Sequence, residues 1–297
     1  MATFDQVHLA HAGFRLSVCP ALGGAVTRFA LDDFDLLRPW DGSEQVRRAS
    51  CFVLAPYSNR IGEGRFDFDG STHRLRRNSP DHALPIHGLA WKRAWQLEKQ
   101  GNDHLLLSLT HDPTWGENAL DWPFAFELEH EIRLDQQGAW LRLALTNRSD
   151  GVMPAGLGWH PYFPRHDGVT LGFAAKQVWL SDEQQLPHEA VDVPPRWDYR
   201  QARELGEPGL DHCFSGWDAK AALQWPAAGV TLQIEADSSM AHLVVYTPPA
   251  AQGLFAVEPV SHLNNALNQA DPAKHGVVYL QPGERLERHC RMRVSRS

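Results

Sequence analysis

The chain has 297 residues, 43% of them hydrophobic and 22% charged, which is enough apolar material to bury a large core and argues against disorder. Its formal net charge of -8, without a long lysine or arginine run, argues against a nucleic-acid partner. The same charge disfavours an anionic substrate only weakly, because a few arginines can reverse the field inside one cleft.

The four cysteines form no Cys-x-x-Cys pair, so they are predicted to be buried thiols rather than zinc ligands or a disulfide framework. The amino terminus lacks a basic region followed by an apolar stretch, so no secretory signal is recognised. No segment approaches the ~18 apolar residues that span a bilayer. We therefore expect a cytoplasmic protein that does not bind membranes.

Apolar and polar residues alternate along much of the chain, which predicts half-buried β-strands. Asp69-Gly70 is a hairpin-turn signal after a short apolar run. The clearest alternation covers 124–134. Further strands are predicted at 138–146, 230–236, 242–247 and 286–294, with Pro282-Gly283 as the turn between 277–280 and the last strand.

No stretch of 11–18 residues has the apolar spacing of an amphipathic helix, so the fold class is predicted to be all-β. The polar segment 181–208 is predicted to form long loops over the sheets. Since no linker or repeat divides the sequence, we expect a single domain over 1–297. Two stacked antiparallel sheets, a β-sandwich, are the expected architecture.

Five segments combine an ionisable side chain with glycine, proline or aromatic neighbours, which a plain strand avoids. Their ionisable residues are Arg60, His87, His160, Asp211 and Glu258. Taken singly, each has an ordinary structural explanation: a surface arginine, an incidental loop histidine, a core histidine, a solvated turn aspartate and a strand-end glutamate facing water. The segment 156–163 around His160 is stronger because it holds two glycines, a proline and three aromatic residues.

No metal site is predicted, although the chain has 16 histidines. The sequence contains no His-x-His, His-Glu-x-x-His or paired-cysteine spacing. It also lacks a Gly-x-Ser-x-Gly elbow, a glycine-rich phosphate loop and a dinucleotide fingerprint. The predicted chemistry therefore uses neither a metal nor a cofactor.

Taken together and in this order, the five segments resemble the aldose 1-epimerase (galactose mutarotase-like) family over nearly the whole chain. The matching motifs are Asn-Arg-Ile at 59–61, His-Gly at 87–88, His-Pro-Tyr-Phe at 160–163, Leu-Asp-x-x-Phe at 210–214 and Glu-Pro at 258–259. The resemblance implies a large antiparallel β-sandwich with its active site in a cleft on one sheet. It also implies a small sugar substrate, an aldohexose, and a monomer or homodimer.

By the same resemblance, Glu258 corresponds to the catalytic base and His160 to the catalytic acid of anomer exchange. Arg60, His87 and Asp211 fall on the sugar-binding positions of the family. The scheme needs an ionised glutamate and a cationic histidine, and a neighbouring carboxylate would favour the imidazolium.

Two features leave alternatives open. The segment after Pro259 begins Val260-Ser261-His262, whereas the best-known galactose mutarotases have a proline-containing segment there, so the sugar preference stays open. Arg74, Arg76 and Arg77 are candidates to meet a phosphate, as in hexose-6-phosphate mutarotases, although a solvated strand face explains them more simply.

Two other classes of protein also fit parts of the sequence. A carbohydrate-binding or sugar-sensing protein without catalysis could use the 11 tryptophans to stack on sugars. A glycoside hydrolase would instead use Asp211 and Glu258 as paired carboxylates.

Overall fold

The computed structural model describes residues 4–296, and its regular structure is β-strand joined by short 3-10 turns. The strands up to residue 155 are β1 (Val7–His11), β2 (Phe14–Cys19), β3 (Ala25–Leu31), β4 (Phe34–Asp35), β5 (Cys51–Leu54), β6 (Arg65–Phe68), β7 (Ser71–Arg74), β8 (Gln96–Gln100), β9 (His104–His111), β10 (Phe126–Asp135), β11 (Gly138–Asn147) and β12 (Met153–Ala155).

The second half of the chain continues in the same way. Its strands are β13 (Gly158–Pro164), β14 (Thr170–Phe173), β15 (Gln177–Ser181), β16 (Pro187–Asp192), β17 (Arg203–Glu204), β18 (Asp211–Ser215), β19 (Lys220–Trp225), β20 (Val230–Ala236), β21 (His242–Tyr246), β22 (Leu254–Val260), β23 (Val278–Leu280) and β24 (Arg285–Arg296). The 3-10 turns are Val46–Arg48, Gly62–Gly64, Ala90–Lys92, Asn118–Leu120, Pro195–Trp197, Pro226–Ala228, Ala250–Gln252, Ala266–Asn268 and Pro272–His275.

Two large antiparallel sheets contain most of the strands. An 11-stranded sheet has the order β1-β2-β3-β5-β13-β22-β21-β18-β15-β16, with β4 paired to β3. A 9-stranded sheet has the order β17-β14-β19-β20-β24-β11-β10-β9-β8. Two hairpin-sized sheets, β12-β23 and β6-β7, lie outside them. The predicted all-β fold is confirmed, while the single domain stays a prediction.

The best-patterned strand shows why the sequence forms a sheet. In β10, Phe126, Leu128 and Ile132 are fully buried and face the core. Residues of the opposite face carry charge, and Arg142 of the neighbouring β11 pairs across the strands with Glu129 at 3.1 Å and Glu131 at 2.9 Å. This strand therefore has one apolar and one ion-paired face, as its alternation predicts.

The core lies between the two large sheets. Trp159 of β13 is fully buried, and its indole N–H donates to His130 Nε2 of β10 at 3.3 Å. Phe163 of β13 and Phe255 of β22 are also fully buried, with ring centroids 5.7 Å apart. Since successive residues of a strand point to opposite faces, the residues between these positions point away from the core.

Most predicted elements agree with the structure to within a few residues, including the Asp69-Gly70 hairpin turn between β6 and β7. The prediction that 181–208 is loop throughout is wrong, because the segment contains β16 and β17. Both are outermost strands of their sheets. An edge strand pairs on one side only and leaves much of its surface in solvent, so it tolerates the polar composition that had indicated a loop.

Two further sequence expectations concern the cysteines and membranes. Cys19, Cys51, Cys213 and Cys290 are all free and buried, as predicted. Among residues 4–296 there is no helix of the length and apolar character that crossing a membrane requires.

Candidate active site

The strand register places His160 opposite Glu258 near the middle of the 11-stranded sheet. Strands β13 and β22 are antiparallel neighbours, and their pairing of Gly158 with Val260 and of Tyr162 with Ala256 brings the two residues level. Because Trp159 points into the core, His160 points to the outer face. Its Nε2 lies 3.2 Å from Glu258 Oε1, and both side chains are buried.

The next strands of the sheet add two more polar side chains to this face. Tyr246 ends β21 and is paired with Asp211, the first residue of β18. The Asp211 carboxylate lies 3.9 Å from Arg60 Nη2. Four adjacent strands, β13-β22-β21-β18, thus form the floor on which the candidate site is built.

Arg60 and His87 come from loops that fold over this floor. Asn59 and His87 have positive φ angles of 58° and 61°, and the Asn59 N–H donates to His87 Nδ1 at 3.1 Å. A neutral His87 therefore carries its proton on Nε2. The following Gly88 has φ 65°, and a Cβ there would lie 2.0 Å from the Ala55 carbonyl oxygen, so this turn requires glycine.

The five predicted site residues line one cleft, with a cavity volume of about 110 Å³. The structure therefore brings together Arg60, His87, His160, Asp211 and Glu258 from five separate segments of the chain. Six other residues complete the lining: Arg47, Asn59, His82, Ile86, Tyr162 and Tyr246. The roles of the five residues stay predictions, because proximity alone does not assign a base or an acid.

Burial dominates the electrostatics of the central pair. It raises the pKa of Glu258 well above 4.5, with Asp211 adding to the effect and Arg60 opposing it. Burial also lowers the pKa of His160 well below 6.5, with Arg47 adding to the effect. Each group alone thus favours its neutral form. The expectation that a neighbouring carboxylate favours the imidazolium did not include the desolvation of His160.

One polar atom of each central residue has no hydrogen-bond partner among residues 4–296. These atoms are Glu258 Oε2 and His160 Nδ1, and both are buried. Buried polar atoms in proteins are usually satisfied, and exceptions are frequent at functional sites. The central pair is therefore buried with part of its hydrogen-bonding capacity unused.

Ser261 and His262, the residues that left the sugar preference open, support the cleft from behind. His262 Nε2 accepts from the Ser58 N–H at 3.0 Å, and its Nδ1–H donates to the Leu263 carbonyl at 2.7 Å. Ser261 Oγ accepts from the Leu157 N–H at 2.9 Å. Neither residue lines the cleft; His262 supports the loop that carries Arg60, and Ser261 supports the residue that precedes β13.

None of Arg74, Arg76 and Arg77 lines the cleft. Arg76 forms a bidentate ion pair with Asp121, and Arg77 Nε donates to the Ser79 carbonyl at 2.8 Å. No tryptophan lines the cleft either, so its aromatic surface comes from Tyr162 and Tyr246. The tryptophans are mostly buried, and several of them belong to the core.

Three lining residues, Arg47, His82 and Tyr246, lie outside the five segments singled out in the sequence, and one of them had a usable signal. Tyr246 ends a strand that had been predicted, whereas Tyr162 lies inside the His-Pro-Tyr-Phe motif, two residues from His160 on the same face of the strand. Arg47 and His82 lie in irregular segments where no periodicity or motif marks them. Among the residues that the structure describes, no group of three or more His, Cys, Asp or Glu side chains is arranged to hold a metal ion.

Known proteins share this sequence pattern and this fold. A family model for aldose 1-epimerase matches residues 5–293. The uncharacterized Escherichia coli K12 protein YphB is 28% identical over 293 residues, 96% of this chain and 97% of its own length. The aldose 1-epimerase of the same organism is 25% identical over 221 residues, 67% of this chain and 61% of that protein.

The similarity extends to three dimensions. A crystal structure of an E. coli K12 protein provisionally assigned as an aldose 1-epimerase superposes with a TM-score of 0.91 at 26% identity. The superposition covers 99% of this chain and 100% of the other.

The support behind the cleft can be tested at Gly156. A Cβ there would lie 1.9 Å from His262 Cδ2, and the ring cannot move aside easily because both of its nitrogens are bonded. We expect Gly156→Ala to lower the free energy of unfolding by about 1–3 kcal/mol, measured by urea denaturation. Gly151→Ala is the matched control, since a Cβ added there would have no atom within 4 Å, and equal stability of the two variants would contradict the account.

Proposed function

The chain belongs to the aldose 1-epimerase family, and from that membership we propose that it is a mutarotase that interconverts the α and β anomers of a free aldose. The resemblance recognised in the sequence is thereby confirmed at the level of the family. The observation that carries the proposal is the buried contact of 3.2 Å between His160 Nε2 and Glu258 Oε1, with one unpartnered polar atom on each residue.

Anomer exchange needs one base and one acid, because the pyranose ring must open and close again. In the proposed reaction, Glu258 removes the proton of the C1 hydroxyl while His160 donates a proton to the ring oxygen. The bond from C1 to the ring oxygen breaks as the C1 carbonyl forms, giving the open-chain aldehyde. Rotation about C1–C2 presents the other carbonyl face, and reclosure reverses both proton transfers.

The central pair is proposed to hold one proton when it meets the sugar. Burial opposes placing a charge on either residue alone. With one shared proton, the ion pair and the neutral pair have the same net charge. Attraction across the contact of 3.2 Å offsets part of the desolvation that favours the neutral pair, and the reaction proceeds from the ion-pair form. The proton ends each cycle where it began, so the scheme uses no cofactor.

Sugar binding is assigned to Arg60, His87 and Asp211. Arg60 offers hydrogen-bond donors only, and His87 in its Nε2–H tautomer offers a second donor from the loop. Asp211, held near Arg60, accepts from hydroxyl groups. A sugar hydroxyl both donates and accepts, so a cleft with both kinds of group can orient it.

A carbohydrate-binding protein without catalysis is a weaker explanation, because pure binding has no use for a desolvated glutamate beside a histidine. A glycoside hydrolase would cleave an oligosaccharide, which the mutarotase would leave intact. A hexose-6-phosphate mutarotase lacks support from Arg74, Arg76 and Arg77, since they lie outside the cleft lining. The binding protein predicts no turnover of any sugar, the hydrolase predicts cleavage of an oligosaccharide, and the phosphate mutarotase predicts a hexose 6-phosphate as substrate.

We expect a hexose 6-phosphate to be no better a substrate than its neutral parent sugar. Polarimetry of freshly dissolved α-glucose, α-galactose and glucose 6-phosphate, corrected for spontaneous mutarotation, gives kcat/KM for each. A much higher kcat/KM for the phosphorylated sugar would contradict the proposal that the substrate is a free aldose.

The catalytic assignment predicts that Glu258→Gln lowers kcat by at least ~10²-fold with little change in sugar affinity, because it removes the base and keeps the shape. His160→Gln is expected to behave similarly. Arg60 and Asp211 variants should instead mainly raise KM. Glu207→Gln, at an exposed position, is the matched control for the chemical change. Near wild-type kcat in Glu258→Gln would reject the role of base.

The pH dependence of kcat/KM should be bell-shaped, because only the singly protonated pair is active. As the pH falls through the depressed pKa of His160, the pair gains a second proton, so the acid limb lies below pH 6.5. As the pH rises through the raised pKa of Glu258, the pair loses its last proton, so the alkaline limb lies above pH 4.5. Polarimetry across pH measures both limbs, and an acid limb above pH 6.5 would refute the shared-proton pair.

A further inference from the structure

The dipeptide Asp81-His82 contacts both arginines of the cleft. Asp81 Oδ2 lies 3.2 Å from Arg47 Nη1, and His82 Nδ1 lies 3.5 Å from Arg60 Nη2. The loop that carries this dipeptide is itself anchored, since the Asn78 side chain bonds backbone groups near its far end. The contacts therefore hold two cations in place from one short segment.

The chemistry of the pair determines the tautomer of His82. A guanidinium has donors and no acceptor, so the ring nitrogen that faces Arg60 must present a lone pair. The proton of the neutral ring then lies on Nε2. This atom is buried and has no hydrogen-bond partner among residues 4–296.

His82 is held neutral by its surroundings. Burial is the largest cause that lowers the pKa of His82 to about 4; the cations Arg47, Arg60 and Arg77 contribute to this shift and Asp81 opposes it. A cationic ring in this position would repel Arg60. The contact is therefore compatible with a neutral imidazole over the whole physiological range of pH.

Arg60 has three polar neighbours that together define its orientation. Its Nη1 donates to Asn59 Oδ1 at 3.1 Å, while Nη2 faces both His82 and, at 3.9 Å, Asp211. A planar guanidinium held at both terminal nitrogens cannot rotate freely. Asn59 is its neighbour in sequence, so His82 and Asp211 supply the restraint from elsewhere in the fold.

We propose that His82 is a positioning residue of the sugar site, which accepts a hydrogen bond from Arg60 through Nδ1 and so fixes the guanidinium against which the sugar binds. The inference rests on the proposed function, because it takes Arg60 as a sugar ligand. His82 acts through Arg60, so its loss should weaken binding of the sugar and leave the proton transfers of Glu258 and His160 nearly unchanged.

Two near-isosteric variants separate this role from the alternatives. His82→Asn can place an oxygen acceptor near the position of Nδ1, whereas His82→Gln places its polar group near the position of Nε2. We expect His82→Gln to raise KM by about 10-fold with kcat within about 3-fold, and His82→Asn to keep KM within about 2-fold of the wild type.

Three outcomes of the kinetics would overturn the proposal. If His82→Asn raises KM and His82→Gln does not, Nε2 contacts the sugar directly. If both variants lose kcat in parallel with stability, the role is structural. If KM is unchanged in both, Arg60 is oriented without His82.

A measurement without sugar tests the contact itself. In ¹⁵N-labelled protein, the ring nitrogens of His82, assigned by their loss in His82→Asn, should show the Nε2–H tautomer and stay neutral down to about pH 4. Arg60→Met should raise this pKa and mix the tautomers, because it removes a nearby cation and the donor. An Nδ1–H tautomer, or protonation near pH 6, would overturn the proposal. If the wild type turns over no aldose, the proposed function is wrong. The spectrum still shows in that case whether His82 accepts a hydrogen bond from Arg60.

Discussion

The site depends on the pairing of β13 with β22, which sets His160 level with Glu258 on the outer face of the larger sheet. A slip of one residue in this register would turn one of the two side chains into the core. The pairing is secured from the other face, where Trp159, Phe163 and Phe255 are fully buried between the sheets. The large core of the sandwich thus specifies a contact of 3.2 Å that lies outside it.

The loops over the sheet shield this contact from water. Without a cover, a glutamate on an outer face would be solvated and would have an ordinary pKa. The turn at His87-Gly88 and the hydrogen bond from Ser58 to His262 hold these loops in place, and the resulting burial moves the pKa of Glu258 upward. Burying an ionisable group costs stability, and in the proposed function the same burial sets the protonation state of the pair.

Sequence patterns anticipated what depends on local order and missed what depends on distant contacts. Alternation located β10 and β11 because each residue of a half-buried strand reports its own face. The five motif residues could be singled out because glycine, proline or aromatic residues surround each of them in the sequence. The fold brings all five into one cleft. His262 was treated as a difference in specificity, since its partner Ser58 lies 204 residues away and no local pattern reveals that bond.

Dependence on distant contacts also explains why Arg47 and His82 were not found. For the same reason, the net charge of the chain does not indicate the charge of the cleft. A net charge of -8 describes the whole surface, whereas the cleft contains two arginines held by neighbours from one loop. Around the central pair, Arg60 and a neutral His87 present donors, and Asp211 presents an acceptor. Such a division suits a ligand whose hydroxyls serve as both donor and acceptor. It arises from tautomers that only the folded contacts determine, which is why composition and charge could not reveal it.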